Sequence, residues 1–245
     1  MKKRANFAAW VGAIAIFATI SGCATRPDAN PVDPWEPMNR SIYGFNQSVD
    51  DAVLRPVATA YVKHVPEPVR IGTSNFFSNI SEPWNFINNI LQGRIRNAGE
   101  TLTRFSLNTV FGVFGLADVA TDAGIERHSE DFGQTLGVWG VPTGPYLVLP
   151  LLGPANMRDG PALIVDYAAN PVLQLDSQAA QNTLALLLFV DRRALLLKTG
   201  NLLDEAALDK YSFSRDVFLQ YRRAAIRDSN SNAKAVDEER YDLNP

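Results

Sequence analysis

The chain is poor in the residues from which active sites are built. It has one cysteine and two histidines in 245 residues. A lone thiol, Cys23, excludes an intrachain disulfide. With His64 and His128 the only imidazoles, a transition-metal site lacks its usual ligands. Neither a G-x-S-x-G nucleophile elbow nor a phosphate-binding P-loop occurs. Carboxylates are scattered, without the paired spacing that suggests acid–base work. His128-Ser129-Glu130-Asp131 offers triad residue types, but adjacent loop residues rarely converge as a triad does. A phospholipase reading would rest on His128 and Ser129; the reading adopted is a non-enzyme with no cofactor and no metal. A basic face is also missing, which argues against nucleic acid.

Charge is absent from one long stretch. Phe132 to Met157 holds no charged side chain between Asp131 and Arg158. Its length would cross a bilayer as a helix, but Gly133, Gly137, Gly140, Gly144 and Gly153, with Pro142, Pro145, Pro150 and Pro154, argue against a helical ladder. A hairpin is expected, with arms Trp139-Gly140-Val141 and Tyr146 to Leu149 around a Pro142–Pro145 turn in which Gly144 takes positive φ. Two settings fit an apolar segment on irregular backbone: a packed core, or the wall of a wet cavity.

The N-terminus carries an export signal. Lys2, Lys3 and Arg4 precede the apolar run Phe7–Ile20, and Ile20-Ser21-Gly22-Cys23 has the form of a lipobox. Residues 1–22 are expected to be cleaved and Cys23 to carry the lipid anchor. Cleavage removes three basic and no acidic residues, taking the formal net charge from −3 to −6. Ala24, rather than aspartate, after the cysteine points to the outer membrane. Residues 23–34 read as a polar tether.

The remainder reads as helices. Pro37 opens one, with Ile42, Phe45, Val49 and Val53 on one face, and Pro56 ends or kinks it. Residues 69–111 mix Phe76, Phe77, Trp84 and Ile87 with Asn75, Asn79, Asn85, Asn88 and Asn89. Ser81 is a candidate N-cap there, with Pro83 in the first turn. The amides fit either caps and turns or a polar passage, and Asn85, Asn88 and Asn89 are the candidate lining. Arg94–Phe111 is expected to turn Leu102, Phe105, Leu107 and Thr109 inward. A short helix begins at Leu116, and another runs from Pro161 to Ala169. Ser177–Lys198 is the most apolar helix, suited to lying in a bilayer or to a core; Asp191, Arg192 and Arg193 interrupt it far short of the about twenty apolar residues a span needs. Gly200-Asn201 marks a turn, Ser214 caps a last helix to Arg227, and residues 228–245 are expected to form a disordered polar tail.

Five ordered blocks make the chain resemble the MlaA (VacJ) family of outer-membrane lipoproteins over roughly residues 33–223. The opening signature comprises Asp33, Pro34, Glu36, Asn39, Arg40, Phe45 and Asn46. Asn75–Asn79 with Glu82-Pro83 and Leu91–Gly93 form a second block. Arg104-Phe105, Asn108-Thr109, Gly112, Gly115 and Asp118 form a third. The central block includes Phe132–Gly137, Trp139-Gly140, Gly144–Tyr146 and Leu149-Pro150. Arg158-Asp159 and the late Tyr211, Arg215, Asp216 and Arg222 complete the match.

The resemblance implies an all-α ring of amphipathic helices over residues 35–227, with a central amphipathic pore and one short hairpin segment. It further implies a passive channel in the inner leaflet of the outer membrane. That channel takes mislocalised phospholipids from the outer leaflet, passes them to a periplasmic carrier and associates with a trimeric porin. Trp139, Gly140, Gly144, Pro145, Tyr146, Leu149 and Pro150 are the expected pore wall and gate. The competing reading is a porin-bound scaffold that transports nothing.

Overall fold

The computed structural model describes residues 30–197, 199–200 and 207–242. The expected signal over residues 1–22, the anchor Cys23 and Asn201 of the expected turn lie outside the described residues.

Helix α1 (Glu36–Val49) carries Pro37 at its start, where the missing N–H has no partner to lose. A π-helical turn, Asp50–Leu54, leads into α2 (Arg55–His64). Pro56 cannot donate to the preceding turn, and the ladder widens there instead of breaking. Next, α3 (Glu67–Leu91) and α4 (Ile95–Val110) make the most extensive helix–helix contact of the fold. Pro83 lies inside α3. The expected N-cap Ser81 instead bonds back to the Phe77 carbonyl at 2.9 Å.

Short helix α5 (Val119–Asp122) starts three residues beyond the expected Leu116, because Asp118 caps it by accepting from the Thr121 N–H. The charge-free stretch opens as helix α6 (Phe132–Val138), contrary to expectation. Its glycines meet neighbours rather than breaking the ladder. A Cβ at Gly133 would sit 2.6 Å from Asp159 and one at Gly137 2.5 Å from Ile226. Then β1 (Tyr146–Leu149) pairs antiparallel with β2 (Gly153–Asn156), Tyr146 opposite Asn156 and Leu149 opposite Gly153. The second expected arm is therefore a strand, but its partner follows it. Trp139 caps α6, and the hairpin turn is Pro150-Leu151-Leu152.

Helix α7 (Asp159–Ala168), a 3-10 turn (Pro171–Gln174), α8 (Gln178–Leu195) and α9 (Lys210–Asp242) complete the chain. Ser177 caps α8 as expected. Ser214 lies within α9, which continues through Asp242, so residues 228–242 are helical where a disordered tail was expected. The tether also ends early: Asp33 is buried, and the Tyr146 N–H donates to the Val32 carbonyl at 2.9 Å. The fold is all-α with one two-stranded sheet.

Burial runs opposite to that of a water-soluble protein. The inward face of α4 is Thr101, Arg104 and Asn108, while Leu102, Val110 and Phe111 face outward. Arg104 is 0% exposed, and Phe114, beyond the end of α4, is 75% exposed. Among the described residues, buried polar side chains outnumber buried apolar ones. A helix with its polar stripe inside and its apolar stripe outside suits a surround of hydrocarbon. No helix among the described residues is long and apolar enough to cross a membrane.

The polar interior is internally bonded. Arg104 makes two bonds to Asp118 at 2.8 and 2.9 Å, reaches the Ile125 carbonyl and lies 3.6 Å from Glu82. Arg222 links three segments, contacting Asp131 at 2.5 and 2.9 Å and Asp159 at 2.7 Å. Buried ions persist only when paired and hydrogen-bonded, as both guanidiniums are. A small apolar cluster, Tyr146, Val148, Tyr211 and Leu219, joins β1 to α9.

Candidate functional site

The opening signature holds the hairpin. Asn39 Nδ2 donates to the Asp33 carboxylate at 2.8 Å and to the Tyr146 carbonyl at 3.1 Å, and its Oδ1 accepts from the Val148 N–H at 2.9 Å. Asn46 repeats the clamp at the turn: Nδ2 to the Leu149 carbonyl at 2.9 Å, and the Leu151 N–H to Oδ1 at 2.8 Å. Asp33 also accepts from the Tyr211 hydroxyl at 2.5 Å, which ties α9 to the same place. Burial, then the hydrogen bond to Asp33, pushes the Tyr211 phenol well above its ordinary range. Arg40 lies 4.3 Å over the Tyr211 ring and bonds to Glu36 and Asp209. Phe45 is exposed.

Beside this clamp lies a cavity of ≈ 570 Å³ between α1, the hairpin turn and α8. This is within the range of about 300–1,000 Å³ typical of small-molecule sites. Leu54, Leu151, Leu152, Phe189 and Leu196 give it apolar walls, and Asp50, Arg55, Arg192 and Arg193 give it charge. Leu151 takes φ 62° at the tip. An L-residue is strained there, and the Asn46 bond holds it in place.

The expected site residues separate into two groups. Asn46 and the strand end at Leu149 and Pro150 lie at the cavity rim or lead into it. Tyr146 does not: its side chain is fully buried against Tyr211 and Phe218. Trp139 donates to the Leu91 carbonyl and packs edge-on to Phe132, away from the cavity lining. Gly140 has φ 90° and Gly144 φ 67°, the positive value expected. A Cβ on Gly144 would meet Met157 at 2.9 Å. Gly140, Gly144 and Pro145 shape the approach to β1 rather than the cavity wall.

The three asparagines are corrected as well. Asn85, Asn88 and Asn89 are buried in a bonded layer between α3 and the segment leading into α6. Asn88 Oδ1 accepts from Thr135 at 2.7 Å, Asn85 Oδ1 from the Glu130 N–H at 3.3 Å, and Asn89 donates to the Asn85 carbonyl. Most of their amide groups serve the protein's own backbone and side chains, though Asn89 Oδ1 is buried without a partner among the described residues, and all three side chains are buried rather than lining the cavity. The cavity residues missed from sequence are Leu151, Leu152, Phe189 and the arginines of α8. Arg192-Arg193 after a seven-residue apolar run was the available signal.

The residues of the supposed triad diverge. His128 pairs with Glu100 at 2.6 Å, Glu130 with Arg94 and Gln92, and Asp131 with Arg222. Burial raises the Glu130 carboxyl against the pull of Gln92 and Arg94. Burial also raises the Asp131 carboxyl, but hydrogen bonds from Arg222 outweigh it and hold the group below its ordinary value. Each is held by a different partner in the fold.

The chain is similar to known proteins over most of its length. The family described as MlaA lipoprotein matches residues 31–225. The chain is 35% identical to the intermembrane phospholipid transport system lipoprotein MlaA of Shigella flexneri, over 95% of this chain and 97% of that protein. It is 34% identical to the protein of that name from Escherichia coli K12, over 95% and 97%. A solved structure described as the structural basis for maintenance of bacterial outer membrane lipid asymmetry aligns with TM-score 0.69 and 35% identity. It covers 79% of this chain and 98% of its own.

Proposed function

The chain belongs to the MlaA lipoprotein family, and from that premise we propose that it is a passive conduit for phospholipid between a bilayer and a soluble acceptor. The observation that carries this reading is the cavity beside the clamped hairpin, in a protein whose helices turn apolar side chains outward. Apolar walls suit acyl chains, and the charged groups suit a headgroup. The apolar rim suits a protein seated in hydrocarbon without spanning it.

The finer reading follows the family. Cys23 carries the acyl anchor, the protein lies in the inner leaflet of the outer membrane, a periplasmic carrier accepts the lipid, and a trimeric porin holds the complex. The hairpin tip, Leu151-Leu152, rather than Tyr146, is the moving wall of the conduit. Passage needs no energy source in the chain itself, so gradients and the acceptor set its direction.

Reconstitution tests this. The full lipidated chain is placed in vesicles with a lipid-free periplasmic carrier, and the carrier is recovered and its lipid analysed by mass spectrometry. Intact phospholipid on the carrier is the expected result. An unloaded carrier would favour the scaffold reading, and lysolipid with free fatty acid would favour hydrolysis.

A further inference from the structure

The cations lining the cavity are not equivalent. Arg193 is committed to Asp50, through bonds of 2.5 and 2.7 Å. Arg55 bonds to Asp51 at 3.3 Å. Arg192, beside Arg193 on α8, is exposed, lines the cavity and has no protein partner among the described residues. Three arginines and one aspartate therefore line a cavity in a chain of formal net charge −3.

A cation beside leucines, with no side-chain partner among the described residues, is placed to receive an anion that also carries hydrocarbon. The guanidinium fork presents parallel N–H groups that match two oxygens of a phosphate, and it is less strongly hydrated than an ammonium. Apolar walls beside it, Leu151, Leu152 and Phe189, accept chains attached to that phosphate. An ordinary surface arginine faces bulk water on every side; this one shares its cavity with the hairpin tip.

We propose that Arg192 is the phosphate-binding group of the cavity, seating the phosphodiester of a phospholipid while its acyl chains lie along the hairpin tip. Arg55 supplies the second cation. The inference rests on the conduit reading above and adds a recognition element: lipids are selected for a phosphate, not merely for acyl chains.

Because the Arg192 side chain is exposed and bonds to no other side chain among the described residues, its substitution leaves their contacts in place. The full lipidated chain is reconstituted in donor vesicles carrying labelled phosphatidylglycerol, phosphatidylethanolamine or diacylglycerol, and transfer to acceptor vesicles is timed. Arg192→Glu is expected to slow both phospholipids about tenfold, the scale of one charge-assisted hydrogen bond. Diacylglycerol, which lacks the phosphate, should be unaffected, and Arg192→Lys, which keeps the charge but loses the fork, should recover only part of the phospholipid rate.

Equal slowing of diacylglycerol, or native phospholipid rates in Arg192→Glu, overturns the proposal while leaving the conduit standing. Failure of the native protein to transfer any of the three lipids overturns the conduit reading itself, and this inference with it. Inorganic phosphate separates the two sources of the anion. Competition that slows phospholipid transfer in the native protein, and is lost in Arg192→Glu, supports the lipid site. Phosphate binding through Arg192 without any effect on transfer assigns the site to free phosphate and overturns it.

Discussion

Asn39 and Asn46 stand two helical turns apart on α1, and each holds one carbonyl and one N–H of the hairpin. Together they complete the outer edge of β1 as a neighbouring strand would. Asn39→Ala strands the buried polar groups of Tyr146 and Val148, at a cost of about 2–4 kcal/mol. Asn39→Asp loses the donor to the Tyr146 carbonyl and sets a second carboxylate beside Asp33. Urea unfolding in detergent should order the proteins native, then Ala, then Asp; equal midpoints would remove the clamp from the account.

Leu151 offers a substitution with opposed effects. At φ 62° asparagine is better tolerated than leucine, so Leu151→Asn should gain about 1 kcal/mol in stability. The same change wets the cavity wall, and lipid transfer should fall. A variant that is stabler and transports at the native rate would place the passage elsewhere.

Arg222 separates charge from shape. Its fork meets Asp131 and Asp159 together, which a lysine cannot do. Arg222→Lys should lose about 3 kcal/mol despite keeping its charge, and Arg222→Ala more. Thermal unfolding in detergent decides this, since a purely coulombic role predicts a near-native lysine variant.

Gly115 marks the close approach of the loop after α4 to α3. It has φ 89°, and an added Cβ would lie 2.5 Å from Asn79. Gly115→Ala should cost about 1–3 kcal/mol. Val113→Gly, which relieves a left-handed valine at φ 52°, should stabilise by about 1 kcal/mol. Paired denaturation curves with shifts of the same sign would contradict this picture.

Acid stability should show Asp118. Burial pushes its carboxyl up, but hydrogen bonds from Thr121 and Asn108, with the Arg104 charge, prevail and hold it at about 2. A carboxylate depressed in the folded state stabilises fully above its unfolded value, about 4, and that contribution disappears as pH falls toward 2. The unfolding midpoint of the native protein should therefore drop faster between pH 4 and 2 than that of Asp118→Asn. Parallel profiles would assign the acid sensitivity to other carboxylates.

Much of the fold was legible in sequence because helix punctuation is local. Pro37 and Ser177 open helices as their chemistry requires, Pro161 falls in the first turn of a helix that begins at Asp159, and Gly144 takes the positive φ expected of it. Strand pairing is not local. Tyr146–Leu149 was recognisable, but Gly153-Pro154-Ala155-Asn156 has little strand character and is recruited by register and by the Asn156–Asp159 bond at 2.6 Å. The site was half visible: Asn39 and Asn46 stood in the signature, while their bonds to a strand about a hundred residues away did not.

The deepest reversal concerns direction. Periodicity divides α4 into two faces without saying which looks inward, and the ordinary assumption put Leu102 inside. Arg104 and Asn108 are inside instead. Only the neighbours on α3 and α5, which offer Glu82 and Asp118, settle the choice.

With guanidiniums and amides gathered at the centre and Phe111 and Phe114 left at the perimeter, the finished molecule presents to its surroundings the groups that water solvates least. Hydrocarbon then acts as a ligand of the native state, raising stability by mass action as any selectively bound species does. On the conduit reading proposed above, arrival at a lipid surface is the last step of folding as well as of sorting, and extraction from it is a mild form of denaturation.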